Sequence, residues 1–299
     1  MRARIVLSFI TATLGIATSG CGSTGDTAGD RSIVAAFYPL TFAAEQIVPD
    51  AGVSNLTPAG AEPHDLELSA RDIERVRDAD LVLYLGSGFM PALEDAVSGA
   101  ANAADLLDGL QLLGGNYEHG HGDEDREEHA AEQTLDPHVW LDPMRYAAMA
   151  ERIAEALGDP EAAADLVAEL EELDAELRAG LESCERRTVV TSHAAFAYLA
   201  DAYGLEQIAL TGISPEAEPS AKAIEELVAE VDEEGATTVF FETLVSPRLA
   251  ETVAREAGAT TAVLNPLEGL TEDEVEAGAD YFSVMRANLD ALRTALGCT

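Results

Sequence analysis

Lysine is almost missing from this chain. Among 299 residues only Lys222 is a lysine, and 17 basic side chains face 56 acidic ones, a formal net charge of −39. A surface of that sign repels phosphate backbones and anionic headgroups. It excludes nucleic acid as a partner and electrostatic docking on a membrane, and it favours cationic ligands without locating a site for them. Cysteine is scarce as well: Cys21, Cys184 and Cys298 are too few for a disulfide-rich scaffold. Aromatic residues make up 5% of the chain, too little for a broad aromatic interaction surface. No HExxH helix, GxSxG elbow or Walker-type loop occurs, which removes the commonest hydrolytic and nucleotide-binding plans.

What is present begins with a 47% hydrophobic content, enough for one large core or two ordinary ones. Residues 1–20 read as a secretion signal: "MRAR", then "IVLSFITATLGIA", too short to span a membrane comfortably, then "TSGC". The small residues before Cys21 resemble a bacterial lipobox, in which the signal is cut before the cysteine and the new N-terminus is lipidated. Thr18 stands where that motif usually has an aliphatic residue, so simple cleavage nearby is the alternative. Residues 21–31 form a flexible tether, and the working domain is expected outside the cytoplasm. In that oxidising compartment Cys184 and Cys298 either pair, tying the C-terminus to the start of the second half, or stay as two thiols.

Along the chain, "SIVAAFYPL", "GVSNLTPAG" and "DLVLYLG" read as strands, alternating with helical segments such as "SARDIERVRDA", for which Ser69 is the expected N-cap. Residues 32–143 thus form an N-terminal α/β lobe. Its segment 114–136, rich in glycine and acid and carrying His119, His121 and His129, is a polar loop. Residues 144–184 read as a helical connector interrupted only at "GDP". Strand–helix alternation then restarts with "RTVVTSH" and continues to the closing helix "YFSVMRANLDALRTAL", giving a C-terminal lobe over 185–299. The expected fold is α/β: two open α/β lobes joined by a long rigid connecting helix.

In open α/β sheets ligands gather beyond the C-terminal ends of the strands. His64 follows the second strand, His138 sits in "DPHVWLDP" at the end of the first lobe, and His193 follows "TVVTS" directly. Two prolines rigidify the backbone around His138. Neutral imidazole is a preferred zinc ligand, and three such groups from separate loops can close on one ion only where the lobes face each other, in the interlobe cleft.

The segments "YPL", "GAEPHDLELSARDIERVRDADLVLYLG", "DPHVWLDP", "VVTSHAAFAYLADAYGL" and "ISPEAEPSAKAIEELV" together resemble the zinc-type, ZnuA-like solute-binding lipoproteins of metal ABC importers, over nearly the whole chain beyond the signal. The resemblance implies Zn(II) as transported ligand, bound by His64, His138 and His193. It also implies a monomeric, non-enzymatic receptor anchored outside the cytoplasmic membrane through lipid on Cys21. Its partners would be a membrane permease and a separate cytoplasmic ATPase. Manganese-type relatives tend to have glutamate where His193 stands, and histidine suits zinc better. A manganese receptor of the same family is the alternative cargo reading; an adhesin and a zinc-dependent hydrolase are the more distant ones. The loop with His119, His121 and His129 resembles the metal-capturing loop of zinc-type members. Where the family often places an aspartate ligand, this chain has Asn265, so the fourth position falls to water, to Asn265, or to a carboxylate from Glu62 or Glu268. Glu242 is either a hydrogen-bond partner of a ligating imidazole or a solvated acid. With ordinary imidazole pKa values, metal binding would weaken below about pH 6.

Overall fold

A computed structural model describes residues 31–115, 135–215 and 219–299. The signal segment, Cys21 and the histidines at 119, 121 and 129 lie outside these residues.

In the first lobe β1 (Ser32–Ala35), α1 (Tyr38–Ile47), β2 (Gly52–Asn55), α2 (Ala70–Asp78), β3 (Leu81–Tyr84), α3 (Pro91–Val97) and β4 (Ala103–Asp105) form a parallel sheet in the order β2-β1-β3-β4. Ser69 caps α2 as expected. Its hydroxyl accepts from the Asp72 N–H, and the Asp72 carboxylate accepts from the Ser69 N–H. The three-residue β4 carries no periodic signal and was not legible as a strand. The second lobe repeats the plan. Strands β5 (Thr188–Thr191), β6 (Glu206–Ala209), β7 (Thr238–Phe241) and β8 (Thr260–Val263) pair in parallel in the order β6-β5-β7-β8, with α6 (Ala197–Tyr203), α7 (Ala221–Glu233) and α8 (Arg248–Ala257) between them.

The helical connector breaks where "GDP" indicates. It is two helices, α4 (Pro143–Leu157) and α5 (Ala164–Leu181), packed on each other, and α5 is the long helix expected between the lobes. Gly158, at φ +80°, ends α4 in the left-handed conformation, and the chain folds back. Five leucines, 166, 170, 173, 177 and 181, make one buried stripe along α5, which at about 1.5 Å per residue reaches roughly 27 Å. A short α9 (Glu272–Glu276) precedes the closing helix α10 (Tyr281–Leu296), whose N-terminal aromatics return to the first lobe: the Tyr281 ring lies 5.9 Å from Phe42 and 4.5 Å from Tyr146. One apolar cluster therefore runs from the first sheet through α4, α5 and α6 to α10, while β5, β7, α7 and α8 enclose a smaller one. Cys184, just past α5, is joined by a disulfide to Cys298, just past α10. Among the described residues no helix is long and apolar enough to cross a membrane.

This packing makes Leu173, wholly buried midway along α5, a structural keystone. Leu173→Ala should lower the unfolding free energy of the metal-free protein by about 2–5 kcal/mol in urea titrations. A loss under about 1 kcal/mol would contradict the shared core.

Candidate metal centre

In both parallel sheets the strand order reverses at the middle pair, β1/β3 and β5/β7, and the site forms where the C-terminal strand ends of the two lobes meet. His64 belongs to the loop after β2. That loop turns at Gly60 (φ +78°), whose N–H donates to the carbonyl of Leu270 in the other lobe at 2.9 Å. Glu62 Oε1 accepts the His64 backbone N–H at 3.0 Å, and the imidazole stands edge-on to Phe89. His138 is fixed the same way: Asp136 Oδ1 accepts its backbone N–H at 2.9 Å and also lies 2.7 Å from its Nδ1. His193 follows β5, with Nδ1 2.8 Å from Oε1 of Glu242 at the end of β7; the Ser192 hydroxyl donates to the same oxygen at 2.7 Å.

The outward nitrogens of all three rings turn to one atom. Nε2 of His64, His138 and His193 lie 3.3, 3.0 and 3.2 Å from Oε1 of Glu268, in the loop after β8. His138, His193, Glu242 and Glu268 are buried, as is Asp136, and the His64 side chain is nearly so. The donor atoms of the three histidines and Glu268 lie within 4.8 Å of one another. Four ligands at about 2.0–2.1 Å from a tetrahedral zinc are separated by roughly 3.3 Å, so these spacings match the edges of such a tetrahedron. With Asp136 and Glu242 as acceptors, Nδ1 of His138 and His193 carries the proton in the neutral ring, and the Nε2 lone pairs then face a carboxylate oxygen. Acceptor facing acceptor is unfavourable unless a proton or a metal cation lies between. Glu268 Oε2 is buried with no partner, as are Oε2 of Glu62 and of Glu242.

The charges respond accordingly. Burial pushes His138 down, but Asp136 and Glu268 outweigh it and the ring titrates above its ordinary value. His193 is held well above, with burial opposed by Glu242 and Glu268. Burial would raise Glu268, yet His193 and the hydrogen bonds from the three rings hold it well below the carboxylate range. Burial and the charge of Glu268 push Glu62 up to about 9.

Of the candidate fourth donors, Glu268 enters the cluster, and Glu62 joins Glu242 and Glu268 in an adjoining carboxylate group. Asn265 stands apart. Its Oδ1 accepts from the Leu267 N–H at 2.8 Å, while its Nδ2 donates to Glu274 Oε1 at 3.0 Å and Thr243 Oγ1 at 3.2 Å. It shapes the turn that leads to Glu268. Asp136 was not foreseen, although a signal exists: an acid–proline–histidine triplet occurs at both 62–64 and 136–138, and in each the acid accepts the histidine N–H.

Two parallel-sheet lobes with three imidazoles and a carboxylate buried at their junction define a two-lobed solute-binding protein with a candidate metal centre. A family profile described as "Zinc-uptake complex component A periplasmic" matches residues 33–295, and the chain belongs to that family. The chain is 39% identical over 287 residues to the zinc-binding protein AdcA of Streptococcus pyogenes serotype M3, a match covering 89% of this chain and 56% of that relative. It thus spans a little over half of that protein's length. To the high-affinity zinc uptake system protein ZnuA of Bacillus subtilis it is 35% identical over 309 residues, 96% of each chain. The Zn(II)-bound ZnuA-like domain of Streptococcus pneumoniae AdcA superposes with a TM-score of 0.73 at 35% identity, covering 89% of this chain and 99% of that one.

The raised His138 and His193 values correct the expectation of weakening only below about pH 6. Both rings keep their protons to higher pH, so zinc must displace them and its affinity should already fall as pH drops through neutrality. Chelator-competition titrations from about pH 8.5 to about pH 5.5 should show log affinity falling with a slope between about one and two per pH unit. A flat profile down to about pH 6 would contradict it.

Proposed function

We propose that this chain is the extracytoplasmic zinc receptor of an ABC importer. It captures one Zn(II) between its lobes with His64, His138, His193 and Glu268, and delivers the ion to a membrane permease whose ATPase is a separate cytoplasmic subunit. The observation that carries this reading is the convergence of three Nε2 atoms on Oε1 of Glu268 at 3.0–3.3 Å. Three nitrogen donors and one oxygen donor favour zinc over the harder manganese ion. Four protein donors close the coordination sphere, the arrangement of a holding site; a hydrolytic zinc keeps a position open for water. Release follows from the origin of the ligands: His64 belongs to the first lobe and His193 to the second, so separating the lobes dismantles the site. The protein works as a monomer. It is held outside the cytoplasmic membrane by lipid on Cys21, and the loop with His119, His121 and His129 collects metal weakly.

Calorimetric titration of the metal-stripped chain with Zn(II) and Mn(II) in parallel tests the cargo. One zinc site tighter than the manganese site is expected, and His64→Ala and His193→Ala should each weaken zinc at least about 100-fold. Tighter manganese binding reassigns the cargo, and parent-like zinc affinity in both variants removes the ligands.

A further inference from the structure

Among the described residues Glu268 is the only carboxylate whose oxygen meets all three imidazoles, and its other oxygen has no hydrogen-bond partner there. Among the described residues the three rings are its only side-chain hydrogen-bond partners, so the backbone before it sets where it enters the site. That backbone is unusual: Leu267, just before it, has φ +58°, a left-handed conformation that a branched side chain seldom adopts. Asn288 holds the turn's first residue, its Oδ1 accepting the Asn265 N–H and its Nδ2 donating to the Asn265 carbonyl, and two further hydrogen bonds grip Pro266 and Leu267 themselves. Asn265 Oδ1 accepts the Leu267 N–H from within the loop. From outside, the indole Nε1–H of Trp140 donates to the Pro266 carbonyl at 2.7 Å.

Trp140 is the chain's single tryptophan, is fully buried, and sits two residues after His138, with ring centroids 5.2 Å apart. Its own carbonyl accepts the Tyr281 hydroxyl at 2.7 Å. Pro266 has no N–H, so its carbonyl is the only backbone polar group it offers. An indole N–H is a donor only and, when buried, requires an acceptor. We infer that Trp140 is a positioning residue for the metal site: through the Nε1–H to Pro266 hydrogen bond it fixes Glu268 relative to His138, making those two ligands one preset half-site. The inference rests on the reading of His138 and Glu268 as zinc ligands.

The test uses Trp140→Phe, Glu268→Gln and the double variant in the otherwise intact chain. It reads zinc affinity by chelator competition, the visible absorption of the cobalt(II)-loaded protein, and thermal unfolding without metal. Because Trp140 is the sole tryptophan, global replacement of tryptophan by 3-benzothienylalanine removes the N–H at this one site while keeping the two-ring shape, should Trp140→Phe fold poorly. Removing the N–H should weaken zinc about 10-fold or more and shift the cobalt bands, and in the Glu268→Gln background it should cost nothing further. Parent-like affinity and cobalt spectrum without the N–H would overturn the inference. An equal loss in both backgrounds would overturn it too, because the effect would then be one of general structure. If Glu268→Gln alone binds zinc like the parent, the ligand reading fails and the inference falls with it.

Discussion

Three imidazole nitrogens within 3.0–3.3 Å of one buried carboxylate oxygen is the arrangement on which the rest of this protein depends. Burying a carboxylate costs several kcal/mol unless opposite charge or hydrogen-bond donors compensate it, and here the four participants come from four loops in two lobes. They meet because two sheets with the same strand order present their C-terminal ends to each other. The lobes stay in register because α5 and α10 carry one apolar core across the junction. An acid-rich surface contributes a favourable field for a cation but no geometry; the geometry is set by a handful of buried hydrogen bonds.

Those hydrogen bonds form a second layer with a division of labour. Asp136 and Glu242 each take the inner nitrogen of an imidazole and so aim the outer one. Glu62 and Asp136 use the same two-residue turn to fix a histidine backbone. Asn265 and Trp140 hold the Pro266–Glu268 turn from its two sides. The adjoining carboxylates raise the proton affinity of two rings, so the same groups that orient the site also make protons the competitor of metal there.

Much of this was legible in the sequence, for physical reasons that differ by element. The strands and the closing helix could be read because burial on both sheet faces and a 3.6-residue apolar stripe leave marks in composition and spacing. The helix α10 spans the residues its periodicity indicates. His64 and His193 stood out because each follows a strand, and His138 because two prolines frame it in "DPHVWLDP" at the end of the first lobe. What could not be read depends on contacts between distant segments. The fold-back of α4 on α5 follows from how their apolar faces meet; "GDP" marks only the break. Nothing local distinguishes Glu268 from its neighbouring acids as the one that reaches the rings. Asn265 drew attention as a substitute ligand, whereas its amide is spent on the turn and on Glu274 and Thr243.

The most direct measurement is zinc K-edge X-ray absorption of the protein loaded with one equivalent of Zn(II). A first shell of four nitrogen and oxygen scatterers at about 2.0 Å, with the outer-shell pattern of three imidazoles, is the expected result. A sulfur scatterer, or a six-oxygen shell with one imidazole or none, would contradict the site built here from His64, His138, His193 and Glu268.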